Sequence, residues 1–360
     1  MVKNLNSVTF VCEHLGKGGA ERVMSILIKN YVNAGWRVQL VLLYEDLIEY
    51  SIPDSVKKVF LSFDRKHSLS EIISRRRKLR STVTGDVVVT FLYAAIRDTV
   101  FSMIGSKKVL VISDRSDPGK EPPGKFRRCL RTLSYYFADK IVFQTDDAKK
   151  YFPRRLQKKG YVIPNPVSSQ LPKFDLNKAN KTIVAVGRLV AQKNFSLLFK
   201  AFSRLSADFP DYTLKIYGRG ELEEELKNLA YKLKISDKVH FLGYVTDVNE
   251  RMREASMYVS SSIYEGISNS MLEAMAMGIP TICTDCPIGG ARKTINNRVN
   301  GILVPVDDED ALYHAMKEIL SDKTLAKTLS ENSQSIKTNL SEDVIFERWL
   351  KITQSILGNF

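Results

Sequence analysis

The stretch Ser260-Ser-Ser-Ile-Tyr-Glu-Gly-Ile-Ser-Asn-Ser-Met-Leu-Glu-Ala-Met-Ala-Met-Gly-Ile-Pro280 carries two glutamates, Glu265 and Glu273, with seven residues between them. The apolar run Met257–Val259 ahead of it reads as a strand. Glu265 falls in the Ser/Gly-rich loop that follows, and Glu273 in a helix that starts at Ser268 or Asn269. A strand, a glycine loop and a helix N-terminus form a ready site for a phosphorylated ligand, because free main-chain N–H groups and the helix dipole both favour negative charge there. An ionised carboxylate only accepts hydrogen bonds, so two of them suit hydroxyl groups rather than phosphate itself. A ligand with phosphates in the middle and polyols at both ends meets both demands, and a nucleotide sugar is such a ligand. The plainer alternative is an ordinary buried helix, since Leu-Glu-Ala-Met-Ala alone is unremarkable.

Outward from this stretch, apolar runs alternate with helical segments along the whole chain. Ser7–Cys12, Arg37–Tyr44, Val56–Phe63, Val87–Leu92, Lys108–Ser113 and Lys140–Gln144 read as strands, and Ala20–Ala34 as a helix stopped by Gly35. A near-continuous apolar run such as Val87–Leu92 suits a parallel strand buried on both faces. Val162-Ile-Pro-Asn-Pro-Val167 and the polar run Ser168–Lys181 read as an interdomain connection, because the prolines exclude regular structure. Alternation restarts with strands at Thr182–Val186, Tyr212–Tyr217, Lys238–Leu242, Met257–Val259, Thr281–Thr284 and Ile302–Val304, and the chain is helical from Asp308 onward. The pattern predicts two doubly wound α/β units. A length of 360 residues allows each its own core.

The net charge of +14 is unevenly spread. Residues 1–165 hold 30 Lys and Arg against 16 Asp and Glu, whereas residues 166–360 hold 24 of each. A partner with negative charge is therefore expected on the first half. Two segments there, Leu69–Arg80 and Lys125–Phe137, place apolar residues on one side and cations on the other. That composition suits an anionic membrane surface or, more simply, a solvated helix. Zinc-finger spacing, RNP-type aromatic motifs and groove-reading helices are absent from the sequence, so nucleic acid is not the expected partner. No apolar run approaches a membrane span, and Met1–Ser7 lacks the apolar region of a signal peptide, which predicts a cytoplasmic protein, peripheral on the inner face of the plasma membrane. Four cysteines are too few for a disulfide framework, Cys283 and Cys286 form a lone Cys-x-x-Cys, and the four histidines are scattered. Two incidental cysteines are thus favoured over a redox or zinc site.

Three further turns follow strands. In Ala185-Val-Gly-Arg-Leu-Val-Ala-Gln-Lys-Asn194, Gly187 lets main chain approach a ligand, and Arg188 and Lys193 reach an anion. Cations at a helix start oppose the dipole, so their placement argues for a function over plain solvation. His14-Leu-Gly-Lys-Gly-Gly-Ala-Glu-Arg22 offers Gly16, Gly18 and Gly19 as a loop whose amides face a phosphate or an acceptor hydroxyl, or else as a plain tight turn. It has neither the dinucleotide-binding spacing nor a Walker lysine. Val111-Ile-Ser-Asp-Arg-Ser-Asp-Pro118 ends with Arg115 between Asp114 and Asp117. Both acids are either acceptor contacts or ion-pair partners of Arg115. No Asp-x-Asp pair ends a strand in a site-like place, and Asp307-Asp-Glu-Asp310 reads as helix capping, so neither a metal ion nor another cofactor is expected.

Glu-Gly-x5-Leu-Glu-Ala-Met-Ala-x-Gly-x-Pro, with the Gly187-Arg188-Leu…Lys193 element and the Gly19-Ala-Glu-Arg22 loop, resembles retaining glycosyltransferases of family four (glycosyl transferases group 1, bacterial surface-polysaccharide type). The resemblance is strongest over 182–306 and weaker over 1–165. It implies a GT-B fold: a Rossmann-like acceptor domain at 1–165 and a Rossmann-like nucleotide-sugar domain at 166–340, facing a cleft, with the helix of 341–360 crossing back to the first. It implies that Arg188 and Lys193 hold the donor diphosphate, that Glu265 with Gly266, Ile267, Ser268 and Asn269 binds the donor sugar, and that Glu273 grips the ribose. Gly218 and the main chain of Gly243, Tyr244 and Val245 would lie near the base, and Gly16, Gly18, Gly19 and Arg22 near acceptor and donor phosphates. Arg115 stands where the family commonly has a histidine; an arginine is no general base at neutral pH, which fits a front-face reaction where the leaving phosphate takes the acceptor proton. The resulting expectation is a metal-independent retaining hexosyltransferase, moving sugar from a UDP-sugar to a lipid-diphosphate-linked or oligosaccharide acceptor. The alternatives are a GT-B sugar-nucleotide epimerase and a basic nucleic-acid- or membrane-binding protein without turnover.

Overall fold

A computed structural model describes residues 6–16, 18–44, 47–61 and 69–357. The chain divides into two compact units, Met1–Pro166 with Glu342–Phe360, and Val167–Ser341.

The first unit runs β1 (Ser7–Cys12), α1 (Gly19–Asn33), β2 (Arg37–Leu42), β3 (Lys57–Phe60), α2 (Leu69–Thr82), β4 (Val87–Phe91), α3 (Tyr93–Met103), β5 (Val109–Asp114), α4 (Lys125–Tyr135), β6 (Lys140–Phe143), α5 (Asp146–Lys150), α6 (Arg154–Lys158) and β7 (Gly160–Val162). Its seven strands form one sheet in the order β3-β2-β1-β4-β5-β6-β7, and every pairing is parallel. β1, β4 and β5 are buried at every residue. Helices cover both faces of a parallel sheet, so a central strand must be apolar throughout rather than alternating.

The second unit runs β8 (Asn180–Val186), α7 (Phe195–Asp208), β9 (Thr213–Tyr217), α8 (Glu223–Lys232), β10 (Val239–Phe241), α9 (Val248–Met252), β11 (Ala255–Ser260), α10 (Asn269–Met277), β12 (Thr281–Thr284), β13 (Ile302–Val304), α11 (Glu309–Ser321), α12 (Lys323–Ser333) and α13 (Ser335–Asn339). Its parallel six-stranded sheet has the order β10-β9-β8-β11-β12-β13. The core is filled by Leu198, Phe199, Phe202 and Leu205 of α7 against Ile183, Leu214 and Ile216. The two doubly wound α/β units expected from the alternation are thus present.

In each sheet the strand order reverses beside the first strand, between β1 and β4 and between β8 and β11. Loops diverge there to opposite faces and leave a crevice at the carboxyl ends of the strands, where open α/β sheets bind ligands.

α14 (Glu342–Leu357) follows the second unit in sequence but packs in the first. Ile345, Trp349, Ile352 and Thr353 form its buried stripe at helical spacing. Tyr31 of α1 meets Thr353 Oγ1 at 3.0 Å and the Phe346 ring at 5.0 Å.

The differences from the expected elements are mostly at ends. β7 overlaps the segment read as connection only at Val162; three residues ahead of two prolines are too few to show a period, and only pairing with β6 makes them a strand. Ser62 and Phe63, expected at the end of a strand, fall outside the described residues. Ala191–Lys193 is a 3₁₀ turn, and α7 begins only at Phe195, after Asn194 in a left-handed conformation.

Candidate active site

In the second unit, three loops at the carboxyl ends of β8, β9 and β10 are bonded side by side. Gly187 N donates to Tyr217 O at 2.9 Å, and Gly218 N to Gly243 O at 2.8 Å. Gly218 has φ 146°, and a Cβ there would stand 1.9 Å from Gly187 O. No other residue fits both the backbone and the gap. Arg219, between Gly218 and Gly220, was not singled out by the sequence reading; its Nε would be 3.3 Å from a Cβ at Gly243. Tyr244 is exposed and Val245 half-buried just beyond.

Across the reversal point, the turn after β8 is fastened to the loop after β11. Ser261 Oγ donates to the carbonyls of Lys193 (3.0 Å) and Asn194 (2.9 Å), Ile263 N to Gln192 O at 2.9 Å, and Gln192 Nε2 to Tyr264 O at 2.9 Å. These bonds hold Lys193 Nζ against Glu265 Oε2 in an ion pair, to which Ser262 Oγ adds a hydrogen bond of 3.2 Å. The pair is largely shielded, with side-chain exposures of 14% and 22%, so water screens it less than a surface pair. The Lys193 stem lies over Gly187, where a Cβ would come within 3.1 Å of Lys193 Cε.

Sequence reasoning treated Arg188 and Lys193 alike, and the structure separates them. Arg188 is exposed, whereas Lys193 is half-buried and engaged by Glu265. Gly266 and Ile267 are buried, and Ser268 caps α10 through a long 3.5 Å contact to Met271 N. Ser270 Oγ lies 2.8 Å from Tyr258 OH and Asn269 is half-buried. Glu273, one helical turn further on, is only 3% exposed. Thr284 Oγ1 (2.6 Å) and Cys286 Sγ (3.1 Å) both donate to Ser262 O and so support the Glu265 loop. Burial pushes the Cys286 thiol up to about 11 and the Cys283 thiol higher still, so neither is a thiolate at neutral pH. These two cysteines pack and bond rather than react.

In the first unit, Gly16 N donates to His14 Nδ1 at 3.0 Å, Tyr50 OH donates to Gly18 O at 3.0 Å, and α1 starts at Gly19. A Cβ at Gly18 would be 2.0 Å from Glu21 Oε2, so this N-terminus already faces one of its own carboxylates. Arg22 is half-buried in the same first turn.

Arg115 follows β5. Its guanidinium lies over the rings of Phe91 (4.7 Å) and Trp349 (5.7 Å), and it donates to Ser113 Oγ at 2.8 Å and to Asn165 Oδ1. Its Nη2 is buried without a hydrogen-bond partner among the described residues. Burial pushes the Arg115 guanidinium down to about 9 against the pull of Asp114, which leaves it a cation at neutral pH. Both acids beside it bond elsewhere. Asp114 accepts from Tyr135 OH at 3.0 Å and Ser116 N at 3.3 Å, and Asp117 accepts from Gly119 N at 2.7 Å. Burial raises the Asp114 carboxyl, and Arg131 opposes that shift.

Arg131 corrects an expectation. It reads in sequence as one of the outward cations of Lys125–Phe137, yet it is 2% exposed. It donates to Pro118 O (2.8 Å) and Glu121 O and lies 4.8 Å from the Phe152 ring centre. The other basic segment is also partly structural. Lys78 donates to Leu61 O at 3.0 Å, Arg80 to the carbonyls of Ile104 and Gly105 at 2.8 Å, and Arg76 stacks on Phe101 at 4.8 Å. The side chain of Leu69 lies outside the described residues. A cavity of about 160 Å³ is lined by Arg75, Arg76 and Arg97 with Phe101 of α3.

Residues 168–336 match the family described as glycosyl transferases group 1. An uncharacterized glycosyltransferase of Haemophilus influenzae is 33% identical over 228 residues, 62% of this chain and 64% of its own length, so the chain spans just under two thirds of that relative. The GalNAc-alpha-(1->4)-GalNAc-alpha-(1->3)-diNAcBac-PP-undecaprenol alpha-1,4-N-acetyl-D-galactosaminyltransferase of Campylobacter jejuni is 28% identical over 360 residues, 97% of this chain and 98% of its own. Anabaena HepE, solved with UDP and glucose, superposes with a TM-score of 0.80 over 97% of this chain and 99% of its own at 18% identity, which shows the shared GT-B fold. Among the described residues no helix is long and apolar enough to cross a membrane.

Proposed function

We propose that this chain, whose residues 168–336 match the group 1 glycosyltransferases, is a glycosyltransferase that moves a sugar from a UDP-sugar to a lipid-diphosphate-linked sugar or oligosaccharide in surface-polysaccharide assembly, with retained configuration and no metal ion. The observation that carries this reading is the Lys193–Glu265 pair at the β8/β11 reversal point. It puts a cation for the donor diphosphate beside a carboxylate for sugar hydroxyls. Arg188 adds a second cation, Glu273 takes the ribose hydroxyls, and the main chain at Gly218 and Gly243–Val245 meets the base. The bond from the sugar's anomeric carbon to the diphosphate breaks, the bond to the acceptor oxygen forms on the same face, and the acceptor proton passes to the departing diphosphate. Lys193 and Arg188 offset the charge that grows there. In the first unit the Arg115 guanidinium, a cation just past the carboxyl end of β5, is the charge we assign to the acceptor's diphosphate. The Campylobacter relative, whose name gives an undecaprenol-diphosphate acceptor, supports that class over almost the whole chain.

A thermal-shift panel of UDP-, GDP-, ADP- and CMP-sugars tests the donor. A ligand at a hundred times its Kd stabilises the folded state by about 2.7 kcal/mol, and the UDP-sugars should give the shift. Activity should survive EDTA; loss that magnesium restores refutes the metal-free reaction. The two glutamates should separate by readout. Glu273→Ala should weaken binding of UDP itself, while Glu265→Ala should mainly lower turnover, each lost charged hydrogen bond costing about 1.5–3 kcal/mol. Calorimetry that finds UDP affinity unchanged in Glu273→Ala rejects its assignment to the ribose.

A further inference from the structure

Helix α4 has two opposed faces. Arg131, Ser134 and Tyr135 are buried, whereas Phe126, Leu130 and Leu133, with Phe137 in the turn that follows, are 75%, 40%, 52% and 55% exposed. These four recur at helical spacing, so they form one apolar stripe pointing away from the protein. Water contact along such a stripe is unfavourable in proportion to its area. The stripe continues past the helix, because Phe137 shares a groove of about 400 Å³ with Ile104 and Lys107, and Ile104 is 43% exposed. The cations Lys125 and Arg127 are exposed beside it, and the sequence of α4 contains no acid.

We infer that this face of α4 docks on an anionic lipid bilayer, with Phe126, Leu130, Leu133 and Phe137 at the acyl boundary and Lys125, Arg127 and Lys107 at the headgroups. Its charge chooses the occupant. A second copy of this chain would bring the same cations against themselves, whereas anionic headgroups complement them. Its shape agrees, since one convex helix with an apolar stripe between cations is the form that lies in a membrane interface.

The inner face of the helix gives the docking a consequence for the acceptor. Arg131 grips the carbonyls of Pro118 and Glu121, and Tyr135 grips Asp114, so α4 holds the loop that carries Arg115. A helix is about 10–12 Å across with its side chains, so this loop lies about one helix diameter from the acyl boundary, at the level of the headgroups. The diphosphate of a lipid-linked acceptor sits at that same level. The consequence rests on the acceptor proposed above, while the docking itself does not.

Co-sedimentation of the full chain with vesicles of phosphatidylcholine alone, or with phosphatidylglycerol added, tests the inference at low and high salt. The wild type should favour the anionic vesicles, and salt should weaken that preference. Phe126→Glu/Leu130→Glu/Leu133→Glu should bind at least about tenfold more weakly to either vesicle. Lys125→Gln/Arg127→Gln should lose only the anionic preference. Phe126→Ser, at the most exposed position, should give a partial loss, and its near-ultraviolet circular dichroism should match the wild type. The inference is overturned if the wild type ignores all vesicles, if the triple variant binds like the wild type, or if light scattering shows that the stripe joins two copies. A thermal shift with UDP-glucose runs in parallel. The absence of a shift with UDP and with every UDP-sugar of the panel, in wild type and variants alike, would refute the donor reading and leave the docking result standing.

Discussion

Lys193→Ala is expected to lower sugar transfer by about 10²–10³-fold while the protein keeps its fold and most of its affinity for UDP. Charge on the diphosphate grows as the bond to the sugar breaks, so an ammonium placed there stabilises the transition state more than the ground state. The loss should therefore appear in kcat. The structure adds a second reason: Glu265 faces Lys193 across a largely shielded contact. Removing the lysine leaves that carboxylate without its counter-charge, and a sugar hydroxyl cannot supply one. Because the two side chains act as a unit, Lys193→Ala/Glu265→Ala should be scarcely slower than Lys193→Ala alone, a non-additivity that a double-mutant cycle reads directly. Steady-state kinetics showing a raised KM with kcat intact would place Lys193 in ground-state binding only, and additive losses would mean that the pair does not work together.

How much of this site the sequence discloses depends on how local each contact is. Each glycine loop and each charged residue after a strand is visible in a few consecutive letters, which is why Gly187, Arg188, Lys193, Gly218 and Glu265 could all be picked out. Pairing between loops 72 residues apart is not local. The difference between Arg188 and Lys193 is set by Ser261, Ile263 and Gln192, whose bonds draw one of them onto Glu265 and leave the other exposed. Spacing within one turn carries no trace of that. Arg131 fails for a related reason. Composition marks it as one of several cations on an amphipathic segment. Only the arrangement of Pro118, Glu121 and Phe152 around it shows that a buried guanidinium, rather than a solvated one, sits there. The strands with continuous apolar runs were the most legible elements, because burial on both faces leaves no other composition open to them.

The last helix shows the same division between local and distant information, and its removal should have the largest effect on stability. The pattern of α14 alone does not show that it packs on a unit whose other residues end at Pro166; that expectation comes only from the family resemblance. Trp349→Ala should destabilise the first unit by about 3–5 kcal/mol, the cost of emptying a fully buried large side chain that nothing else fills. At about 2–4 °C per kcal/mol for a unit of this size, its melting transition should fall by roughly 10 °C. The second unit holds no part of α14, so calorimetry should show the transition of Val167–Ser341, and its UDP-dependent shift, unmoved. Trp349 is also one of the two rings over which Arg115 lies. Trp349→Phe, which keeps a ring, should accordingly retain more transfer activity than Trp349→Ala at a temperature where both variants are folded. Equal activity in the two variants would show that the ring over Arg115 does not position it, and an unchanged first transition in Trp349→Ala would show that α14 does not hold the first unit together.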